Sequence, residues 1–214
     1  MAINKLVEEY NRLYSHLPDD EDELENYIRD KYKVNQSKVD KLKEIITNTE
    51  WKTIHLVLPI VPKPTPRPRT TSDGHMYVKG AADHKKFFQA ILEEKKIIYT
   101  IAKIDINVYI PIPSSMNSTE MLLAQQKYIR PIGSGDWDNI AKTYCDMMQG
   151  VLISNDNIII EGTLRKFYSL KPKVEITLEY QDGFDSKYNQ RKITSSKAYK
   201  TLINPVKLYK SISL

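Results

Sequence analysis

The segment from Gly135 to Asp156 constrains the fold more than any other, because its pattern requires a helix followed by a buried return of the chain. Residues 139–149 carry apolar side chains at helical spacing, and Gly150 follows as a helix end. The apolar residues 151–153 then precede a turn. This pattern predicts that the chain doubles back and brings Asp156 beside the acids that precede the helix.

These two acids, Asp136 and Asp138, are alternate residues of a stretch that we expect to be extended. Alternate residues of an extended segment point to one face, so both carboxylates would converge with that of Asp156. Three carboxylates without histidine or cysteine make an oxygen-only site of the kind that magnesium or manganese prefers. A plain turn followed by a helix N-cap is the alternative, although it leaves the return of Asp156 unexplained.

The same segment resembles the RusA family of Holliday-junction resolvases, whose signature runs Asp-x-Asp-Asn-x-x-Lys, then Asp, then Gly, then a pair of acids. The matching residues are Asp136, Asp138, Asn139, Lys142, Asp146, Gly150 and Asp156. Asn155 replaces the first member of the acidic pair, whereas the second member, which is the one carried over as catalytic, is present as Asp156. The resemblance extends over residues 52–180.

The resemblance implies a magnesium-dependent endonuclease that resolves four-way DNA junctions as a homodimer, with manganese as an alternative metal. Asp136, Asp138 and Asp156 would be its catalytic metal ligands. Lys142 would be catalytic by steadying the scissile phosphate or the attacking water, and its alternative role is a salt bridge within the helix. A fork or flap nuclease, and a DNA-binding accessory protein acting in replication or packaging, remain open as alternatives.

Basic residues outside the segment from Gly135 to Asp156, which we call the acidic segment, are predicted DNA contacts. Alternating prolines between residues 62 and 68 stiffen the chain as an extended polyproline stretch, which would hold Arg67 and Arg69 forward to grip phosphates. A rigid connector is the alternative for this stretch. Lys166 is similar to the late basic strand residue of the family, so the resemblance implies a DNA contact there as well.

The chain divides into three predicted stretches: a helical N-terminal extension over residues 1–50, a nuclease domain over residues 51–181 and a basic C-terminal tail over residues 182–214. The third helix of the extension has Ser37 as its expected cap. In the nuclease domain, strand patterns alternate with helical ones, including a helix expected over residues 83–99. These patterns predict an α+β fold with one mixed β-sheet flanked by helices, which the resemblance also implies.

The charge distribution favours a nucleic-acid partner only modestly. The net charge is +5, but residues 1–50 hold eight basic and twelve acidic residues, which leaves 24 basic and 15 acidic residues in the rest of the chain. A basic body around an acidic cluster suits an enzyme that binds phosphates through cations and a metal through acids.

The sequence predicts a cytoplasmic protein with no membrane partner. No apolar run approaches the roughly 18 residues that are needed to cross a bilayer, and no signal-peptide pattern opens the chain. The lone cysteine, Cys145, cannot form an internal disulfide, which fits a reducing compartment. We expect Cys145 to be a small packing residue rather than a nucleophile.

Overall fold

The computed structural model describes residues 2–62, 69–70, 76–77 and 97–181. The chain divides into two compact units, Met1–Asn48 and Thr49–Ser213. The predicted domain boundary at residue 50 lies close to this division. The predicted tail, residues 182–214, lies outside the described residues, so the three-part division stays a prediction.

The first unit consists of three helices: α1 (Ala2–Tyr14), α2 (Glu21–Tyr32) and α3 (Gln36–Thr47). The N-cap of α2 is Asp20, whose carboxylate accepts hydrogen bonds from two backbone N–H groups of the first turn. The N-cap of α3 is Asn35, whose side chain accepts from the backbone N of Lys38. The expected cap at Ser37 is therefore wrong, because the asparagine two residues earlier already satisfies this helix end.

The described elements of the second unit are β1 (Trp51–Leu58), β2 (Arg69–Thr70), β3 (Met76–Tyr77), β4 (Ala102–Pro111), α4 (Ser118–Gln125), α5 (Trp137–Met148), a 3₁₀ turn (Asp156–Ile158), β5 (Ile159–Ser169) and β6 (Lys173–Gln181). Four strands form one sheet in the order β1-β6-β4-β5, while β2 and β3 pair separately. Strand β4 runs parallel to β5 and antiparallel to β6, which in turn is antiparallel to β1. This mixed sheet confirms the predicted α+β fold. None of the described helices is long and apolar enough to cross a membrane.

Helix α5 and one face of the sheet form the core. In β4 the alternate residues Ala102, Ile104, Ile106 and Val108 are buried, and β6 repeats this pattern. The apolar stripe of α5 includes Ile140, Tyr144, Met147 and Met148, all of which belong to the same buried cluster. The opposite side of α5 is left for the polar residues of the acidic segment.

The chain returns after α5 through a short buried segment, as the sequence predicts. Gly150 has a φ of 72°, a left-handed conformation that favours glycine, and it lets the chain turn directly after the helix. Ile153 then forms a parallel bridge with Ile98. Backbone hydrogen bonds of 2.8 Å on either side, from Ile98 N to Leu152 O and from Ser154 N to Ile98 O, hold the return in place.

The helix expected over residues 83–99 lies mostly outside the described residues, which resume at residue 97. Ile98 is described, and it is 2% exposed and paired with Ile153 as a β-bridge. The prediction is therefore wrong at its C-terminal end. A buried apolar residue fits a helix pattern and a strand pattern equally well until its neighbours are known.

Ile176 offers a test of the packing, since its side chain is 0% exposed at the centre of the sheet. We expect Ile176→Ala to lower the free energy of unfolding by about 2–5 kcal/mol, because it removes buried methyl groups and leaves a cavity. Urea unfolding followed by tryptophan fluorescence measures this change in the second unit alone, since Trp51 and Trp137, the two tryptophans of the chain, both lie there. The exposed Glu179→Ala on the same strand should stay within about 0.5 kcal/mol of the unsubstituted protein. Equal effects of the two substitutions would contradict the packing described above.

Candidate active site

Asp136 occupies the N-cap position of α5, directly after a glycine-containing loop. Gly135 has a φ of 104°, which turns the chain towards the helix in a conformation that other residues rarely adopt. The backbone of Asp136 is extended, as in an ordinary N-cap, but its side chain makes no capping hydrogen bond. An ordinary capping aspartate uses its carboxylate to accept from a backbone N–H of the first turn. Capping therefore does not account for the exposed carboxylate of Asp136.

Asp138 lies in the first turn of α5, which already begins at Trp137. The two acids are thus not alternate residues of an extended segment, and the prediction on this point is wrong. A tertiary contact accompanies the early start, because the indole Nε1 of Trp137 donates to the carbonyl oxygen of Leu164 on β5 at 3.0 Å. Both carboxylates are exposed at the N-terminal end of α5, where the helix dipole stabilises negative charge.

Asp156 opens the 3₁₀ turn that follows the return, and it interacts electrostatically with α5. Partial burial raises the pKa of the Asp146 carboxyl above its ordinary value; the ammonium of Lys142 lowers that pKa, and the carboxylate of Asp156 raises it further. The return therefore places Asp156 near the polar side of α5, at Asp146. Asp138 precedes Asp146 on the same helix by about 12 Å along the axis.

Lys142 is exposed on α5, one turn after Asp138 and one turn before Asp146. Among the ion pairs formed by the described residues, none joins Lys142 to either of these acids. The salt bridge that would be its structural role is therefore not formed here. Its ammonium nevertheless lies close enough to Asp146 to lower the pKa of that carboxyl.

The described residues contain no group of three or more His, Cys, Asp or Glu side chains arranged to hold a metal ion. A single metal site at Asp136, Asp138 and Asp156 therefore stays a prediction. The donor chemistry fits a hard divalent cation, because Mg²⁺ usually binds proteins through one or two carboxylates and takes its other ligands from water and substrate phosphates. The exposed carboxylate of Asp136, which makes no capping bond, is suited to such a role.

Strand β5 is hydrogen-bonded to the chain at the start of α5. Lys166 on this strand is half-buried, and its ammonium donates to the carbonyl oxygen of Gly135 at 3.1 Å. Together with the bond from Trp137 to Leu164, this contact ties β5 to both sides of Asp136. The DNA contact predicted for Lys166 stays a prediction. Its bond to the loop was missed, because a linear pattern gives no sign of which carbonyl a distant lysine will meet.

The two arginines of the proline-rich stretch add nothing to the described geometry. Arg67 lies outside the described residues. Arg69 is the first residue of β2 and pairs with Tyr77 of β3. The DNA contacts predicted for both arginines stay predictions.

A family model described as endodeoxyribonuclease RusA matches residues 59–179, which is more than half of the chain. The chain belongs to the RusA family. The matched range contains the entire acidic segment together with β4 and β5. Membership in the RusA family confirms the resemblance and implies a nuclease that acts on branched DNA.

The chain is also similar to a protein of Bacillus subtilis (strain 168) named "Uncharacterized protein YqaN". The two sequences are 26% identical over an alignment of 121 residues, which covers 52% of this chain and 85% of YqaN. Because that name assigns no activity, the likeness carries no information on substrate.

Cys145 has the environment of a packing residue in this RusA-family chain. Burial raises the pKa of its thiol to about 11, and the carboxylates of Asp156 and Asp146 add to this shift. A raised thiol pKa means that the group stays protonated at neutral pH, where a nucleophilic cysteine would have to be a thiolate.

We therefore expect Cys145 to react slowly with alkylating reagents. A rise of about two pKa units lowers the thiolate fraction at pH 8 about 100-fold, and the reaction should accelerate as the pH approaches 11. The measurement is the rate of iodoacetamide labelling in the presence of chelator, for the native protein and for the protein unfolded in urea. Equal rates in the two states would contradict the protected thiol.

Proposed function

We propose that this chain is a magnesium-dependent, structure-selective endonuclease that cuts four-way DNA junctions and related branched DNA by hydrolysis of phosphodiester bonds. The observation that supports this proposal is the position of Asp136, whose carboxylate is exposed at the start of α5 without a capping bond, within the range that matches the RusA family.

In the proposed mechanism, Asp136, Asp138 and Asp156 would hold one or two divalent cations. The bound cation supplies Lewis-acid activation of water and neutralises charge on the phosphate. The carboxylates would fix the position of this charge beside the scissile phosphodiester. All three belong to residues that are exposed, so a substrate phosphate could reach them.

We assign Lys142 to the charge that grows on the phosphate in the transition state. Its ammonium is exposed on the polar side of α5, and the described residues leave it without an ion pair to Asp138 or Asp146. Because Lys142 is not paired with these acids, its ammonium can interact with a DNA phosphate without first breaking a salt bridge to them. Electrostatic stabilisation of this kind acts mainly on the reaction rate and little on binding.

DNA binding would rest on cations outside the acidic segment. Arg67 and Arg69 would contact phosphates from the proline-rich stretch. Lys166 would contribute through its remaining donors, because an ammonium has three N–H groups and one of them is bound to Gly135. Such contacts position the protein on the duplex and carry little sequence information.

A homodimer would match the near-twofold symmetry of a four-way junction, because two active sites can then make paired cuts in opposite strands. The proposed compartment is the cytoplasm. Gel filtration with light scattering would measure the oligomeric state directly.

The activity is tested by incubating the protein with a labelled four-way junction, a fork and a linear duplex, with magnesium and separately with chelator. Cleavage of the junction with magnesium alone would support the proposal. Cleavage of forks in preference to junctions would move the assignment to a fork or flap nuclease. Binding without cleavage on any substrate would instead indicate a DNA-binding accessory protein.

We expect Asp136→Asn, Asp138→Asn and Asp156→Asn each to abolish junction cleavage while junction binding survives. Asparagine keeps the shape of the side chain but removes a charged metal ligand, whereas phosphate binding depends mainly on lysine and arginine. Cleavage assays and fluorescence anisotropy measure the two properties separately. Asp30→Asn, on the exposed surface of α2, is the matched control and should cleave normally. Any one site variant that cleaves at a near-normal rate would remove that residue from the active site.

We expect Lys142→Ala to slow single-turnover cleavage by about 10²–10³-fold, because it removes one contact to the transition state. Its effect on stability should stay below about 1 kcal/mol, as for any exposed charged residue. The measurements are the single-turnover rate at saturating enzyme and the melting temperature. Lys41→Ala, which removes an exposed lysine of α3, is the control. A folded Lys142→Ala protein with a normal rate would rule out the catalytic assignment.

A further inference from the structure

Two cations, Lys127 and Arg130, lie beside a pair of stacked aromatic rings near the C-terminal ends of β4 and β5. Tyr109 of β4 and Phe167 of β5 are cross-strand partners, and their rings stack with centroids 5.3 Å apart and 22° between their planes. Lys127 Nζ lies 5.0 Å from the centroid of Phe167, and Arg130 Cζ lies 4.0 Å from the same centroid. We call these four residues the cation–aromatic patch.

The two cations of the patch contact an aromatic ring rather than an acid. An aromatic ring attracts a cation through its quadrupole but does not neutralise it. Within the part of the chain that the structure describes, no ion pair involves Lys127 or Arg130. Lys103 offers a contrast: its Nζ lies 5.2 Å from the ring centroid of Trp51, but it is also paired with Glu161 at 2.9 Å. The nearby carboxylate of Glu175 accepts from the Tyr109 hydroxyl at 2.9 Å but is paired with Lys173 at 2.6 Å, so among the described residues no acid is paired with a cation of the patch.

The turn after α4 holds the backbone of Lys127 in an unfavourable conformation. Lys127 has a φ of 72°, a left-handed conformation in which glycine is the usual residue. Two backbone bonds close this turn, from Lys127 N to Ala124 O at 3.0 Å and from Tyr128 N to Leu123 O at 2.9 Å. A long cationic side chain thus stands where glycine would be easiest, and it ends over Phe167.

Arg130 links the patch to the acidic segment. Its Nε donates to the carbonyl oxygen of Lys166 at 2.6 Å, and the ammonium of the same Lys166 donates to Gly135, the residue before Asp136. One residue of β5 therefore holds both the guanidinium and the loop at the start of α5. The remaining N–H donors of Arg130 belong to its two terminal nitrogens, which suit the paired acceptors of a phosphate.

We propose that the cation–aromatic patch binds the sugar–phosphate backbone of DNA next to the phosphodiester that is cut. Lys127 and Arg130 each neutralise one phosphate, and the stacked rings keep both cations in place before DNA arrives. The patch sets the position of the strand relative to Asp136 and reads no bases. This inference rests on the proposed function, because it assumes that the chain binds branched DNA.

The test compares two double variants that lose the same charge. The patch variant carries Lys127→Gln and Arg130→Gln. The matched control carries Lys103→Gln and Arg165→Gln, which remove cations of the same sheet that are already paired with Glu161 and Asp105. Binding of a fluorescein-labelled four-way junction is measured by anisotropy between 50 and 200 mM salt, with chelator present so that no cleavage occurs.

We expect the patch variant to lower the slope of log affinity against log salt by roughly 1.8, since each lost phosphate contact removes roughly 0.9. Over the fourfold salt range the unsubstituted protein should therefore lose roughly tenfold more affinity than the patch variant. The matched control should keep the slope of the unsubstituted protein. Melting temperatures identify a variant that fails to fold, in which case the single variant Arg130→Gln should still lower the slope by roughly 0.9.

Two other outcomes overturn the inference in distinguishable ways. If the unsubstituted protein binds and cuts junctions but the two double variants share one slope, the patch is not a phosphate site and the proposed function stands. If the unsubstituted protein neither binds nor cuts junctions, the proposed function fails and the inference fails with it.

Discussion

The position of the candidate site depends on the parallel pairing of β4 with β5. Parallel neighbours cannot be joined by a tight turn and need a long crossover between their ends. Here the crossover runs from residue 112 to residue 158 and contains α4, α5 and the whole acidic segment. Because the apolar stripe of α5 is buried in the core, its polar residues face outward. A buried packing requirement thus decides which side of the molecule carries the acids.

Much of this fold could be predicted, because its elements have clear periodicities. The alternation in β4 and β6 and the apolar stripe of α5 each reflect burial on one side only, which leaves a direct trace in sequence. Contacts between distant segments leave no such trace. The start of α5 at Trp137 is accompanied by an indole bond to Leu164, and the strand-like state of Ile98 requires Ile153 as a partner. Both were predicted wrongly for this reason.

The family was predictable from the sequence, whereas the arrangement of the candidate site residues was not. The spacing of the acids matches the signature of the RusA family. The family model that matches residues 59–179 confirms this membership. The distances between these acids depend on where α5 begins and on where the chain that follows it places Asp156. The sequence gives no sign of a role for Lys127 and Arg130, because their aromatic partners lie far away in the chain. Only the pairing of β4 with β5 brings those two rings together.

Strand β5 lies at one side of the four-stranded sheet, so its outer carbonyl groups have no neighbouring strand among those described. Two of these carbonyls, on the alternate residues Leu164 and Lys166, accept side-chain N–H groups from Trp137 and Arg130 instead. An open strand edge invites pairing with another polypeptide, and natural proteins usually block such edges. The crossover therefore occupies two of the acceptors at which a further strand would pair, and an added polypeptide would have to displace the side chains of Trp137 and Arg130 from them.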